Sequence, residues 1–520
     1  MMFQLEKRKN LHDAILAIIA FASATVILLD LFGCEGMDMN SMAASDTDAD
    51  SDTDSDSDTD TDSDTDSNVF EGAVMGPTTQ DECDTDNPVA LAVLPDDSNG
   101  MAGPALARFL LSMGRRVDRR VRPNEFLNYY RFGYEAPPPD HVSVEVGMAA
   151  GDIQGRYEMQ VGVRAPDPDQ DGRKRFNLTL AVDTSESMAG LPIQRAKQIC
   201  VALAGSLEEG DIVSITTLDP ARMILLSSHP VTGPQDPVVI SNCNSLAAGS
   251  QTDLQSGLGA AYQLAHAGFS WERTNSVILV SDGAPQLGTT SAKLILDSAH
   301  DGEEPVYLMG AQVGDPSDPG AASESLMRTV TDAGKGAYVF VDSASEAAVM
   351  FTDRLMSILE TAARDVRLEI DLPPSHQVVA FRGEGFATDP SGAIPQDLGA
   401  GDELVFHLTL QSCEPSAVDP DEPVGVTVTY EDSSTGEARS SAWEGTIGEA
   451  LLTHSPELAK GSATVEYATT LEAVRSVSND QAVQLLESAI AKISEADQDL
   501  GGDQDLEEMI ELLGLYLELL

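Results

Sequence analysis

The sequence predicts an α/β fold: a doubly wound, mostly parallel sheet flanked by β-rich regions and followed by a helical C-terminal segment. Two observations carry the central part. Between residues 171 and 365, short apolar runs alternate with segments of helical period, the pattern of a parallel sheet covered on both faces. Oxygen-rich clusters follow several of these runs, and in such sheets ligands sit beyond the C-terminal strand ends. A third observation sets the outline. The 520 residues carry 30 basic and 86 acidic side chains, a net charge of −56, with 42% hydrophobic content. That length has room for two to four domains. So acidic a balance excludes nucleic acid as the main partner, because phosphate binding needs a basic footprint. It also argues against adhesion to an anionic membrane surface.

The elements follow in order. Residues 1–33 form an export segment: Lys7, Arg8 and Lys9 precede an apolar stretch from Ala14 to Leu29, and Leu31-Phe32-Gly33-Cys34 follows. Sixteen apolar residues are short for a membrane span. Leu31, Gly33 and Cys34 resemble the bacterial lipobox, which implies a lipid on Cys34; an uncleaved anchor and plain secretion are the other two outcomes, and all three place the chain outside the cytoplasm. Residues 34–100 read as a disordered acidic tether. Every even position from Asp46 to Asp66 is Asp, and like charges two residues apart repel with nothing apolar to bury. The run lacks the turn Gly and spacing of an EF-hand loop. Of the five cysteines, Cys83, Cys200, Cys243 and Cys413 remain if Cys34 takes a lipid, and the sequence does not pair them. Cys200 on its helix is expected to be simply buried.

The central segment, 171–365, supplies the predicted sheet. Strands are expected at Phe176–Val182, Asp211–Thr217, Ser276–Val280, Pro305–Gln312 and Ala337–Val341, with helices at Leu191–Leu207, Leu254–Ala267, Ser323–Ala333 and Ser345–Leu359. Gly210 is expected to end the first of those helices. Asp183-Thr184-Ser185-Glu186-Ser187 follows the first strand. Gly249-Ser250-Gln251-Thr252-Asp253 precedes the middle helix, and Ser281-Asp282-Gly283 follows the apolar strand SVILV.

With these three loops the sequence resembles the von Willebrand factor type A domain. The first run fits the D-x-S-x-S motif, Thr252 matches the family's isolated Thr, and Asp282-Gly283 matches its late Asp-Gly. The resemblance implies a metal-ion-dependent adhesion site with Asp183, Ser185, Ser187, Thr252 and Asp282 as ligands. Magnesium suits such a set, since it takes oxygen ligands and keeps waters; Mn²⁺ or Ca²⁺ remain alternatives. Hydroxyls plus two carboxylates leave a coordination position that an acidic side chain of a partner protein can fill.

The resemblance extends to the flanks. Residues 101–170 contain Glu125-Phe126-Leu127-Asn128-Tyr129-Tyr130 and Tyr134-Glu135-Ala136-Pro137, similar to the N-terminal extension of a bacterial extracytoplasmic family of type A proteins. His141–Met148 and Tyr157–Val163 alternate as paired strands. Residues 366–455 alternate at Val366–Leu372, Glu403–Leu410 and Val424–Tyr430 and resemble the β-rich region of the same family. Arg115/Arg119 and Arg116/Arg120 have i,i+4 spacing and are expected on one helix face, paired with acidic neighbours rather than with nucleic acid. Residues 456–520 read as two or three amphipathic helices packing on their own fold.

No HExxH, G-x-S-x-G or phosphate loop occurs, so no enzyme is expected. The leading expectation is an extracytoplasmic, membrane-anchored, metal-dependent protein-binding module for adhesion or envelope assembly. The alternative is an envelope scaffold whose C-terminal β and helical regions make the contacts without metal.

Overall fold

The computed structural model describes residues 89–94 and 100–520, except 140, 169–172, 222, 250–252, 284–294, 296, 298–304, 316–326, 329–330, 332, 384, 388–394, 417 and 454. The expected export segment, Cys34 and the Asp-rich run lie outside the described residues. So does most of the expected helix at Ser323–Ala333. Among the described residues, no helix is long and apolar enough to cross a membrane.

The first strand is β1 (Val89–Leu94), followed by helices α1 (Ala102–Ser112) and α2 (Pro123–Tyr129). Strands β2 (Ser143–Ala150) and β3 (Arg156–Arg164) come next. The central domain runs β4 (Arg175–Val182), α3 (Leu191–Gly205), β5 (Ile212–Thr217) and β6 (Ile224–Pro230). It continues with α4 (Pro237–Ser245), α5 (Leu254–Ala267), β7 (Arg273–Ser281), β8 (Tyr307–Gln312) and β9 (Lys335–Phe340). A closing helix is broken by a π-turn at Val349–Asp353 between Ala344–Ala348 and Leu355–Leu359. Strands β10 (Thr361–Leu372), β11 (His376–Arg382), β12 (Gly385–Ala387), β13 (Gln396–Gly399), β14 (Glu403–Ser412), β15 (Pro423–Asp432) and β16 (Ala438–Thr446) follow. After a short helical turn come α6 (Pro456–Ala473), α7 (Asn479–Asp499) and α8 (Gln504–Glu518).

The central sheet has the order β6-β5-β4-β7-β8-β9, parallel except for the antiparallel edge strand β6. Counted within the domain this is 3-2-1-4-5-6, and the order reverses between β4 and β7. One face of β4 presents Phe176, Leu178, Leu180 and Val182 to a core shared with Ala196, Ile199 and Leu203 of α3. Ala181, on the other face, joins Leu258, Ala261 and Tyr262 of α5 and Leu106, Phe109 and Leu110 of α1. Neither β6 nor α4 was anticipated. β6 is half exposed and lacks a clean apolar alternation, and α4 begins at Pro237 with Asp236 as its cap.

The flanks correct the linear division into domains. β12-β1-β10-β15-β16, with β13 beside β10, forms one antiparallel sheet, and β11-β14-β3-β2 forms another; their inner faces share one core. Residues 366–455 are therefore not a domain of their own but half of a sandwich completed by residues 89–94 and 143–164. β10 starts at Thr361, four residues before the expected boundary at 365, and the central domain is an insertion between β3 and β10. Within the expected tether, Val89–Leu94 is a strand paired with both β10 and β12, and Leu91, Ala92 and Val93 are buried. A run of six apolar residues suffices for that, although the surrounding composition is acidic.

Three helices, α6 to α8, turn Tyr467, Leu471, Leu486, Ile493, Leu513 and Tyr516 inward against Phe126 and Leu127 of α2. The apolar stripe of α7 is thus consumed within the chain. Helix α1 ends at Ser112 and Gly114 takes φ +68, so Arg115 to Arg122 are not helical as expected. Their pairing is intramolecular: Arg115 with Asp315 at 3.1 Å and Arg122 with Glu125 at 3.3 Å, while Arg116 donates to Asn479 Oδ1. α3 closes at Gly205, and Gly210 serves the turn before β5. Cys200 is not a lone buried thiol: it is disulfide-bonded to Cys243, joining α3 to α4. Cys413 is also disulfide-bonded.

Arg108 of α1 joins three parts of the fold. Its guanidinium reaches Asp342 at 2.8 Å, Glu346 at 2.6 Å and Glu508 of α8 at 3.1 Å, and the Tyr129 hydroxyl donates to Glu346 at 2.9 Å. Burial alone would favour the neutral guanidine, but the bond to Asp342 and the surrounding acids raise its pKa above the ordinary value. Removing one partner from such a set strands the others in low dielectric. Arg108→Ala is expected to lower unfolding stability by about 3 kcal/mol, read as a fall in the denaturant midpoint at unchanged m-value.

His407 of β14 is buried, with Nε2 3.2 Å from Ser462 Oγ of α6. Burial, and then Arg382, hold its imidazole down to about 3. An unfolded imidazole titrates near 6.5. Between these limits the unfolded chain binds a proton that the folded one does not, so stability is lost as pH falls from about 6.5 towards 3. His407→Gln should remove about one proton from that slope in pH-dependent denaturation.

Candidate metal centre

The site sits where the order of the central sheet reverses. β4 and β7 pair in parallel with Val182 opposite Val280, so both strands end at the same height. The chain beyond β4 stays in the ladder for one more bond, from Asp183 N to Val280 O at 2.8 Å. Asp183 is fully buried, and Asp282, one residue past β7, is 1% exposed.

The D-x-S-x-S loop is shaped by its own side chains. Asp183 Oδ1 accepts from the Ser185 amide at 2.9 Å, and Asp183 Oδ2 accepts from the Ser281 hydroxyl at 3.0 Å. Ser185 Oγ and Ser187 Oγ lie 2.9 Å apart. Met188, fully buried, pins the far end of the loop to the core, and Gly190 at φ +89 turns the chain into α3. Ser281 Oγ also accepts from the Gly283 amide at 3.0 Å, so this one hydroxyl links the two carboxylate loops.

The third loop is tied to the same edge from both sides. The Gly249 amide donates to Thr184 O at 3.1 Å, and the Asp253 amide donates to Leu218 O at 2.7 Å. Asp253 caps α5, accepting from the Ser256 amide and hydroxyl at 3.0 and 2.7 Å, and these bonds hold its carboxyl below the ordinary range. Thr252 lies outside the described residues. Of the five positions expected to bind metal, the structure thus brings Asp183, Ser185, Ser187 and Asp282 to one sheet edge. Ser281 is a participant the sequence reading passed over, although it directly precedes Asp282.

Burial is the largest influence on the Asp183 carboxyl and raises its pKa; the nearby Asp282 charge adds to the rise, against hydrogen bonds from Ser185 and Ser281 that oppose it. Two carboxylates held together in a dry place are what a cation would neutralise. Among the described residues no group of three or more His, Cys, Asp or Glu could hold a metal. Asp183 and Asp282 are only two such groups, and the remaining oxygens are hydroxyls. That hard, all-oxygen donor set fits Mg²⁺ and not a soft metal.

No family model matches the chain. Over 350 residues it is 28% identical to the uncharacterized protein YfbK of Escherichia coli K12, covering 62% of this chain and 58% of that protein. An uncharacterized Synechocystis protein is 24% identical over 259 residues, covering 49% and 59%. The chain thus spans about three-fifths of the length of the curated relatives it matches. Among solved structures, a von Willebrand factor type A protein from Catenulispora acidiphila gives a TM-score of 0.45 at 14% identity, over 73% of this chain and 90% of that one. The ArnB paralogue VWA2 from Sulfolobus acidocaldarius gives 0.37 at 14% identity, over 73% and 98%. The central domain is a doubly wound α/β fold with the sheet order 3-2-1-4-5-6, and its two carboxylate-bearing loops stand where that order reverses.

Proposed function

We propose that the protein is an extracytoplasmic, membrane-anchored binding module that captures protein partners through a divalent cation. Asp183, Ser185, Ser187, Thr252 and Asp282 hold the ion, with Mg²⁺ as the first choice and Mn²⁺ or Ca²⁺ as alternatives. The observation that carries the reading is the pair of buried carboxylates at neighbouring strand ends, with two serine hydroxyls 2.9 Å apart in the loop that leaves β4. Two acidic ligands and hydroxyls leave a divalent ion with residual positive charge and open positions. A carboxylate on the partner fits there, so the role is recognition rather than catalysis. The basic start, apolar stretch and Leu31-Phe32-Gly33-Cys34 run support export with anchoring through Cys34, and the disulfide between Cys200 and Cys243 suits an oxidising compartment.

Metal-free, the raised Asp183 carboxyl opposes folding at neutral pH, since ionisation is harder in the folded state than in the unfolded one. Mg²⁺ should reverse that and stabilise the fold by about 2.7 kcal/mol at a hundredfold excess over its Kd. Asp183→Asn should keep the hydrogen-bonded loop, melt no lower than wild type in EDTA, and lose the Mg²⁺-dependent shift. Identical melting curves for wild type with Mg²⁺ and with EDTA would sink the metal reading.

Partner capture is expected to follow the metal. In pull-downs from envelope extract, wild type with Mg²⁺ should retain proteins that are absent with EDTA and absent with Asp183→Asn. Retention independent of both changes would instead favour contacts made by the sandwich and helices.

A further inference from the structure

The described start of the loop after β8, Val313 and Gly314, packs against the end of β7 that carries Ser281 and Asp282. The Val313 amide donates to Ser281 O at 3.0 Å, which docks this loop on the end of β7. The next residue, Gly314, is buried directly against Asp282. A Cβ at Gly314 would stand 2.7 Å from both the Cβ and the carbonyl oxygen of Asp282 and 2.9 Å from its Cα, closer than packed atoms come. Only a bare backbone fits behind this carboxylate.

The same loop is held from the opposite side by α3, the helix that grows out of the D-x-S-x-S loop. Arg195 of α3 is 6% exposed and donates from Nη1 to Val313 O at 2.9 Å. Its guanidinium carbon lies 4.8 Å from the centre of the Phe109 ring of α1, which fixes its direction. The Asp342 and Asp315 charges also act on this guanidinium, yet the hydrogen bond it makes goes to the Val313 carbonyl, at the end of β8. It makes sense as a strut: Arg195 holds Val313, Val313 and Gly314 back the β7 end, and the β7 end carries Ser281 and Asp282.

We infer that Arg195 and Gly314 are positioning residues for the cation, setting Asp282 at the height of Asp183 through the β8 loop. This rests on the metal reading above. Groups that orient metal ligands commonly change affinity by about ten- to a hundredfold when altered.

The test is calorimetric titration of MgCl₂ into the full chain, paired with melting curves in EDTA. Gly314→Ala is expected to weaken Mg²⁺ binding at least about tenfold. Arg195→Met, which keeps the apolar stem on Phe109, should weaken it in the same direction, and Arg195→Lys should restore part of the loss. Gly310→Ala serves as the control. It lies on β8 itself, where the nearest atoms to an added Cβ are Thr331 Cγ2 at 2.7 Å, Met327 Cε at 3.0 Å and the Met327 carbonyl oxygen at 3.9 Å, all away from Asp282. Its melting temperature can fall while its Mg²⁺ affinity stays at the wild-type value. If Gly314→Ala does not fold, Arg195→Met decides. Wild-type affinity in both variants, or an equal loss in Gly310→Ala, overturns the inference while the metal reading stands. A wild type that binds no Mg²⁺ overturns both.

Discussion

Everything at the candidate site depends on the register of one strand pair. β4 and β7 are parallel neighbours buried on both faces, with Val182 beside Val280. A one-residue slip would turn every side chain of a strand to the opposite face. The register therefore cannot drift without emptying the two cores on either side of β4. It also fixes where the chain leaves the sheet, so that Asp183 and the Ser281-Asp282 pair emerge side by side. The polar site inherits its precision from the apolar packing beneath it.

The surrounding fold is arranged around that sheet by insertion. The sandwich draws strands from both sides of the central domain, and the antiparallel β3–β14 and β1–β10 ladders close it around the point where that domain leaves and returns. Charged side chains complete the join where apolar burial ends. Arg108 gathers acids from the central domain and from α8, and Arg354 donates to the carbonyls of Asn128 and Tyr129. These contacts make the helices α1 and α2, the central domain and the C-terminal helices mutually dependent.

What could be read from the sequence was what is local. Strand and helix periods located β4, β5, β7 to β9, α3 and α5 within a few residues, because each buries a face whose pattern is continuous along the chain. The site loops were legible for the same reason: polar residues directly follow apolar strands. Pairing partners were not. Nothing local says that Val89–Leu94 belongs beside β10, or that residues 143–164 and 403–412 share a sheet. Cys200 and Cys243 lie 43 residues apart, on a helix that was foreseen and one that was not. Nothing in the sequence around Arg195 or Gly314 marks either one. Their relation to Asp282 exists only in three dimensions.

The insertion has a mechanical corollary. The central domain is entered just before Arg175 and left just after Leu359. Ser357 and Ile358 share a cleft with Lys335 at the start of β9, so the exit lies at the sheet edge opposite the site, where β4 also begins. A partner gripping the cation would thus pull on one end of the sheet while both covalent connections resist at the other. The load would run lengthwise along parallel strands, which must shear many hydrogen bonds at once rather than unzip them singly. It would then pass into the β3 and β10 ladders of the sandwich. Tension applied at the site end would in this way be met along the strands and not across them.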